Sequence, residues 1–159
     1  HEYGGGAITF GTTSSSEELI FYSDFSCQRK KVMKLNNKDG DNEPLPITPD
    51  LENCQYRFAD GVHDSTNNQL YVIREDHVDK PSSKDVVNEI VTVSTSITED
   101  EEEYNVEVVA TGNDFYAAPR LSPDGTKLAY ITWNHPNMPW DATELRVRSV
   151  VANDDEGSA

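Results

Sequence analysis

Leu19-Ile20-Phe21-Tyr22, Leu70-Tyr71-Val72-Ile73 and Leu128-Ala129-Tyr130-Ile131 are three copies of one short apolar run, set 51 and 58 residues apart. Apolar runs this short, bounded by polar turn residues, read as buried β-strands. Each follows a polar turn: Ser14-Ser15-Ser16-Glu17-Glu18, Ser65-Thr66-Asn67-Asn68-Gln69 and Ser122-Pro123-Asp124-Gly125-Thr126-Lys127. The last is the strongest turn signal in the chain. Its proline presets φ, its aspartate bonds neighbouring backbone, and its glycine takes the left-handed position.

The pattern extends outward from these runs. Before each turn lies a further strand candidate, at 3–10, 56–63 and 116–121, each led by a tyrosine. After each central run comes another: Val32-Met33-Lys34-Leu35, Glu89-Ile90-Val91-Thr92-Val93 and Glu144-Leu145-Arg146-Val147-Arg148. A fourth is placed twice, around Leu45-Pro46-Ile47 and at 106–111. Four antiparallel strands in about 50 residues is the unit of a β-propeller blade. The sequence therefore predicts an all-β partial propeller of about three blades. They span 1–50, 51–112 and, incompletely, 113–159. A single β-sandwich of about ten strands is the alternative. Three blades leave open flanks, so the chain reads as part of a larger ring or as a piece that self-assembles.

The chain has 159 residues, 35% of them hydrophobic, which suits one modest core. It carries 13 Lys and Arg against 29 Asp and Glu, a formal net charge of −16. So acidic a surface argues against nucleic acid or an anionic membrane as partner. No apolar run approaches the roughly 20 residues of a membrane span, and no signal-peptide pattern opens the chain. A first residue of His1 and a small polar tail suggest a segment of a longer protein. Only two cysteines, Cys27 and Cys54, and no N-x-[ST] sequon favour a reducing compartment, which predicts an intracellular, cytoplasmic location. Glu99-Asp100-Glu101-Glu102-Glu103 reads as a solvated loop.

Strand alternation decides where chemistry can gather. Loops leading into first strands and loops joining second strands to third share one end of every blade. His1-Glu2-Tyr3-Gly4-Gly5-Gly6, Gln55-Tyr56-Arg57-Phe58-Ala59-Asp60 and Asn113-Asp114-Phe115-Tyr116 lie there. So do Arg74-Glu75-Asp76-His77 and Trp133-Asn134-His135-Pro136-Asn137-Met138-Pro139-Trp140-Asp141. Loops on a rigid scaffold are where binding concentrates. The bland alternatives are a tight glycine turn, tryptophans capping the core and a structural ion-pair network. Catalytic signatures are absent: no G-x-S-x-G, P-loop, G-x-G-x-x-G or H-E-x-x-H occurs. His1, His63, His77 and His135 have no metal-ligand spacing, so neither metal nor cofactor is implied.

Three of these stretches together resemble the N-terminal β-propeller of the prolyl oligopeptidase family of serine peptidases. They are His1-Glu2-Tyr3-Gly4-Gly5-Gly6, the run from Asn113 through Ser122-Pro123-Asp124-Gly125, and the Trp133-to-Asp141 loop followed by Thr143-Glu144-Leu145. Within the family they are most similar to the acylaminoacyl-peptidase and dipeptidyl-aminopeptidase-like branch. The resemblance implies a parent that pairs this propeller with a C-terminal α/β-hydrolase domain carrying Ser, Asp and His. It implies a peptide substrate and a propeller that gates access and positions the peptide without breaking bonds. On that basis the substrate-facing candidates are Glu2, Arg57, Arg74, Glu75, His77, Trp133, His135 and Trp140. Glu2 or Glu75 would pair with a peptide N-terminus, Arg57 or Arg74 with a carboxylate, and the tryptophans with side chains. Two rivals remain. One is a stand-alone propeller of the TolB or WD-repeat sort serving as a protein-binding scaffold. The other is a glycosidase-type propeller using Asp60 and Asp114.

Overall fold

The computed structural model describes residues 6–35, 43–96 and 104–150. Glu2, the first two residues of the triple glycine and the whole of the acidic run Glu99–Glu103 lie outside the described residues. The strands form three antiparallel sheets in chain order. Sheet 1 holds β1 (Ile8–Thr12), β2 (Glu18–Ser23), β3 (Lys30–Lys34) and β4 (Leu45–Pro46). Sheet 2 holds β5 (Tyr56–Asp64), β6 (Gln69–Asp76), β7 (Val87–Ser94) and β8 (Val106–Ala110). Sheet 3 holds β9 (Phe115–Leu121), β10 (Lys127–Trp133) and β11 (Glu144–Ser149). Each strand pairs with the one before it, so every sheet is a meander. First strands touch first strands, β1 against β5 and β5 against β9. Three sheets joined in series through their first strands are consecutive propeller blades, not the two facing layers of a sandwich.

Turn chemistry explains the repeat. The three first hairpins each place one residue in the left-handed backbone region: Ser16 at φ 65°, Asn68 at 51° and Gly125 at 71°. In the second hairpin the Asp64 carboxylate accepts from the Thr66 and Asn67 amides at 3.0 and 3.2 Å. In the third, Asp124 accepts from the Thr126 amide at 3.1 Å and the Ser122 hydroxyl at 2.5 Å. These bonds hold its carboxyl down at about 2.

Packing follows the side-chain period of two. On β6, Leu70 and Val72 face sheet 1 and join Leu19, Phe21, Ile47, Phe58, Val91 and Val93. Tyr71 and Ile73 face the other way and join Ile90, Ala110, Tyr116, Leu128 and Tyr130. The middle sheet is thus buried on both faces, which is why the middle of β6, Leu70-Tyr71-Val72-Ile73, is apolar without alternation. The flanking sheets are covered on one face. Ile8 and Phe10 are exposed on either side of the buried Thr9, and Leu145 and Val147 stand exposed on β11.

Asp60 and Arg29 tie the sheets to one another, and Lys30 braces sheet 1 from inside. Asp60 sits in a bulge of β5 with φ 54°, and Ala118 sits in the matching bulge of β9 with φ 53°. The Asp60 amide donates to the Gly6 carbonyl at 2.7 Å, and its carboxylate accepts from the Ala118 amide at 2.9 Å. One residue therefore links the innermost strands of all three sheets. Arg29, from the β2–β3 loop, donates to the Thr48 carbonyl at 2.8 Å and the Tyr104 hydroxyl at 2.8 Å. Lys30 is wholly buried and reaches Ala7 and Ser23 at 3.4 Å each.

Gly11 is required by close approach rather than by backbone conformation. A Cβ there would lie 2.5 Å from His63 Nδ1 and 2.8 Å from the Phe21 ring. His63 is itself packed on Phe21 with centroids 4.9 Å apart. Gly11→Ala is therefore expected to cost about 1–3 kcal/mol by overpacking, read as a lowered urea midpoint. An unchanged midpoint would show that the sheet 1–sheet 2 contact is looser than described.

Candidate functional site

The register places the described parts of the singled-out loops at one end. Tyr56 pairs with Asp76, Phe115 with Trp133, and the Ser23 amide donates to Ala7 at 3.0 Å. At this end the candidate residues divide by the face of the strand they occupy.

Arg74 lies on the face of β6 toward sheet 1. It is buried, ion-paired with Glu89 across β7, and its guanidinium lies 4.5 Å from the Tyr56 ring centroid. Both charges are about nine-tenths buried, so the pair stands in place of an apolar contact at the tip of the inter-sheet core. Glu75, one residue on, faces sheet 3. It is 6% exposed and accepts from or pairs with His77 Nε2 at 3.3 Å. Arg57 is its cross-strand neighbour on β5, and Asn88 its neighbour on β7. Asn88 donates to the Asp114 carbonyl at 2.7 Å, which fixes the approach of sheet 3. His77 is held by its own amide on Gln55 at 2.8 Å.

The third sheet supplies a built loop. Trp133 is buried and stacks on Phe115 at 5.2 Å, and His135 meets the same Phe115 ring edge-on at 5.0 Å. Asn134 Oδ1 accepts from the Asp114 amide at 2.7 Å, and Asp114 accepts from the His135 amide at 2.8 Å. The His135–Pro136 peptide is cis. Asp141 closes the loop by accepting from the Met138 amide at 2.9 Å. Trp140, by contrast, is 75% exposed at the rim. Of the two tryptophans, one caps the core and one is presented to solvent.

Glu2 lies outside the described residues. The remaining seven candidates are all at this end, but Arg74 has its guanidinium engaged with Glu89 and Tyr56. Sequence reading missed Glu89, Asn88 and Asp114 as organisers of the site. Glu89 carried a signal, being the one charged residue of β7 and directly preceding its apolar pair Ile90-Val91. Asp60 and Asp114, the glycosidase candidates, both accept backbone amides. Among the described residues no cluster of three His, Cys, Asp or Glu could hold a metal ion. No helix among them is long and apolar enough to cross a membrane. A cleft of about 490 Å³ runs along the first strands, lined in part by Phe10, Asp60, His63 and Arg120.

Three solved structures match nearly the whole chain. A puromycin hydrolase superposes with a TM-score of 0.76 at 26% identity over 95% of this chain. A Mycobacterium tuberculosis puromycin-hydrolyzing peptidase does so with 0.77 at 31% identity over 96%. A puromycin hydrolase variant complexed with PGG gives 0.77 at 26% over 95%. In each case the chain spans 23% of the other protein's length. No protein-family profile matches the chain, and no curated protein sequence does.

Proposed function

We infer that this chain belongs to the prolyl oligopeptidase family of peptidases, in which it forms part of the β-propeller. The observation that carries this is the match to puromycin-hydrolysing enzymes over 95–96% of the chain at 26–31% identity. The proposed role is non-catalytic. The segment gates access and positions a peptide for a separate α/β-hydrolase domain of the same parent, which supplies the Ser, Asp and His. The uncovered apolar faces of sheets 1 and 3 suit a segment flanked by further blades.

The end bearing Glu75, His77, Arg57, His135 and Trp140 is the face proposed to look toward the hydrolase domain. Glu75 is held between strands beside His77, a fixed negative group suited to a peptide ammonium. Trp140 offers an exposed ring on a braced loop, suited to an apolar side chain. Arg57 suits a carboxylate. Arg74 and Trp133 contribute by holding Tyr56, Glu89 and Phe115 in place.

In the full-length peptidase, Glu75→Gln is expected to raise KM for peptides with a free N-terminus about 10–100-fold, with kcat within about twofold. N-acetylated peptides serve as the control and should show no change. An unchanged KM removes the role given to Glu75. A full-length protein with no Ser-Asp-His hydrolase domain removes the peptidase reading altogether and leaves the scaffold.

A further inference from the structure

We propose that Cys27 and Cys54 are the two halves of a reversible disulfide that staples sheet 1 to sheet 2 at the end bearing the candidate site. Both thiols are free and half-buried. Cys27 lies in the turn joining β2 to β3. That turn is closed by the Asp24 amide on the Arg29 carbonyl at 2.8 Å and the Gln28 amide on the Asp24 carbonyl at 2.7 Å. Cys54 ends the short 3-10 turn Glu52–Cys54 that leads into β5. The two turns come from different sheets and meet here. The Cys54 thiol donates to the Ser26 carbonyl at 3.8 Å, and that peptide is the one immediately before Cys27.

Peptide geometry then puts Cys54 Sγ within about 7 Å of the Cys27 Cα. The Cα–Sγ span of Cys54 itself adds about 3 Å, so the two Cα atoms lie within about 10 Å, against the roughly 4.4–6.8 Å that a disulfide joins. Closure therefore needs a χ1 rotation and a loop shift of a few ångström, about the scale of ordinary loop motion. Neither thiol is carried on a strand, so neither has to break a ladder to move. Gln28, Asn53 and Cys54 all have positive φ, at 56°, 57° and 52°. Non-glycine residues disfavour that region, so neither turn rests in a deep backbone minimum.

The oxidant is a small-molecule disulfide such as oxidised glutathione. The Cys27 thiolate attacks it, forming a mixed disulfide and releasing one glutathione thiol. Cys54 then loses its proton, attacks the Cys27 sulfur and expels the second. The protein gives up two protons and two electrons, and the oxidant becomes two thiols. The bond would fix the β2–β3 loop against the start of β5 and so couple the rim of the candidate site to thiol–disulfide poise. It does not depend on the peptidase reading.

The test equilibrates the full natural protein across a series of oxidised and reduced glutathione, then alkylates, digests and maps it by mass spectrometry. The expected product is a peptide pair joining Cys27 to Cys54, two hydrogens lighter and reversed by dithiothreitol. The oxidised protein should also melt roughly 5–10 °C higher. Cys27→Ser and Cys54→Ser should each leave a single glutathione adduct and no rise in Tm. Separate adducts on both cysteines of the unmutated protein, or two thiols unchanged throughout the series, would overturn the proposal.

Discussion

Glu89→Leu is expected to destabilise the protein by about 3–5 kcal/mol, because it strands the buried Arg74 guanidinium without its carboxylate. Against the 5–15 kcal/mol that usually holds a domain together, this brings a marginal fold close to unfolding. The remaining contact of Arg74 with the Tyr56 ring, at 4.5 Å, returns only about 1–2 kcal/mol. The double variant Arg74→Met with Glu89→Leu should recover most of the loss, since two apolar side chains of similar volume can fill the same site between sheets 1 and 2. Urea unfolding of the three proteins measures both effects. A single-variant cost below about 1 kcal/mol is what an exposed pair would give, and it would contradict the buried position of these two charges. The double variant also separates support from recognition. Glu75 lies on the opposite face of β6, so its side chain is untouched by the exchange.

Lys30→Met is expected to stabilise the protein at pH 7, by about 1–3 kcal/mol. Lys30 is wholly buried, and burial pulls its ammonium from 10.5 down to about 8, with the Asp60 charge opposing the fall. Below pH 8 the group is charged in both the folded and unfolded chain, and the fold carries the full cost of burying the charge, about 3 kcal/mol. Between pH 8 and 10.5 the unfolded chain binds a proton that the folded chain has released, so this contribution to stability rises with pH. The gain from Lys30→Met should therefore shrink across that window. Comparing the two proteins at each pH matters, because Tyr71 and Tyr116 are pushed up by burial and erode stability above pH 10 in both. Loss of the long contacts to Ala7 and Ser23 at 3.4 Å offsets part of the gain. Equal unfolding energies for the two proteins at pH 7, or a difference independent of pH up to 10.5, would be falsifying for the buried ammonium.

The strand repeat was legible because it is local. Each strand pairs with its sequence neighbour, and turn residues at Ser16, Asn68 and Gly125 announce the hairpins. The sharing of one end by the His77 and Trp133–Asp141 loops was legible for the same reason, since antiparallel alternation places loops without reference to packing. The site was legible only as a list. Its division into Arg74 facing sheet 1 and Glu75 facing sheet 3 needs the parity of β6, and that is set by which side chains meet the neighbouring sheets. Trp133 and Trp140 sit seven residues apart in one loop with similar chemistry. One is buried on Phe115 and the other stands in solvent, a difference made by the loop's closure on Asp141 and Asp114.

Local patterning along the chain is enough to set the class of fold, the hairpin order within each sheet and the end at which aromatic and charged loops collect. All three follow from period-two patterning and turn stereochemistry, which act over a few residues. The tertiary structure decided which charges are inside. Lys30 and Lys31 are adjacent, yet Lys30 is buried between sheets while Lys31 reaches Asp24 at the surface at 2.7 Å. The alternation of a strand sends neighbours to opposite faces, and only the docking of a second sheet determines which of those faces loses its water.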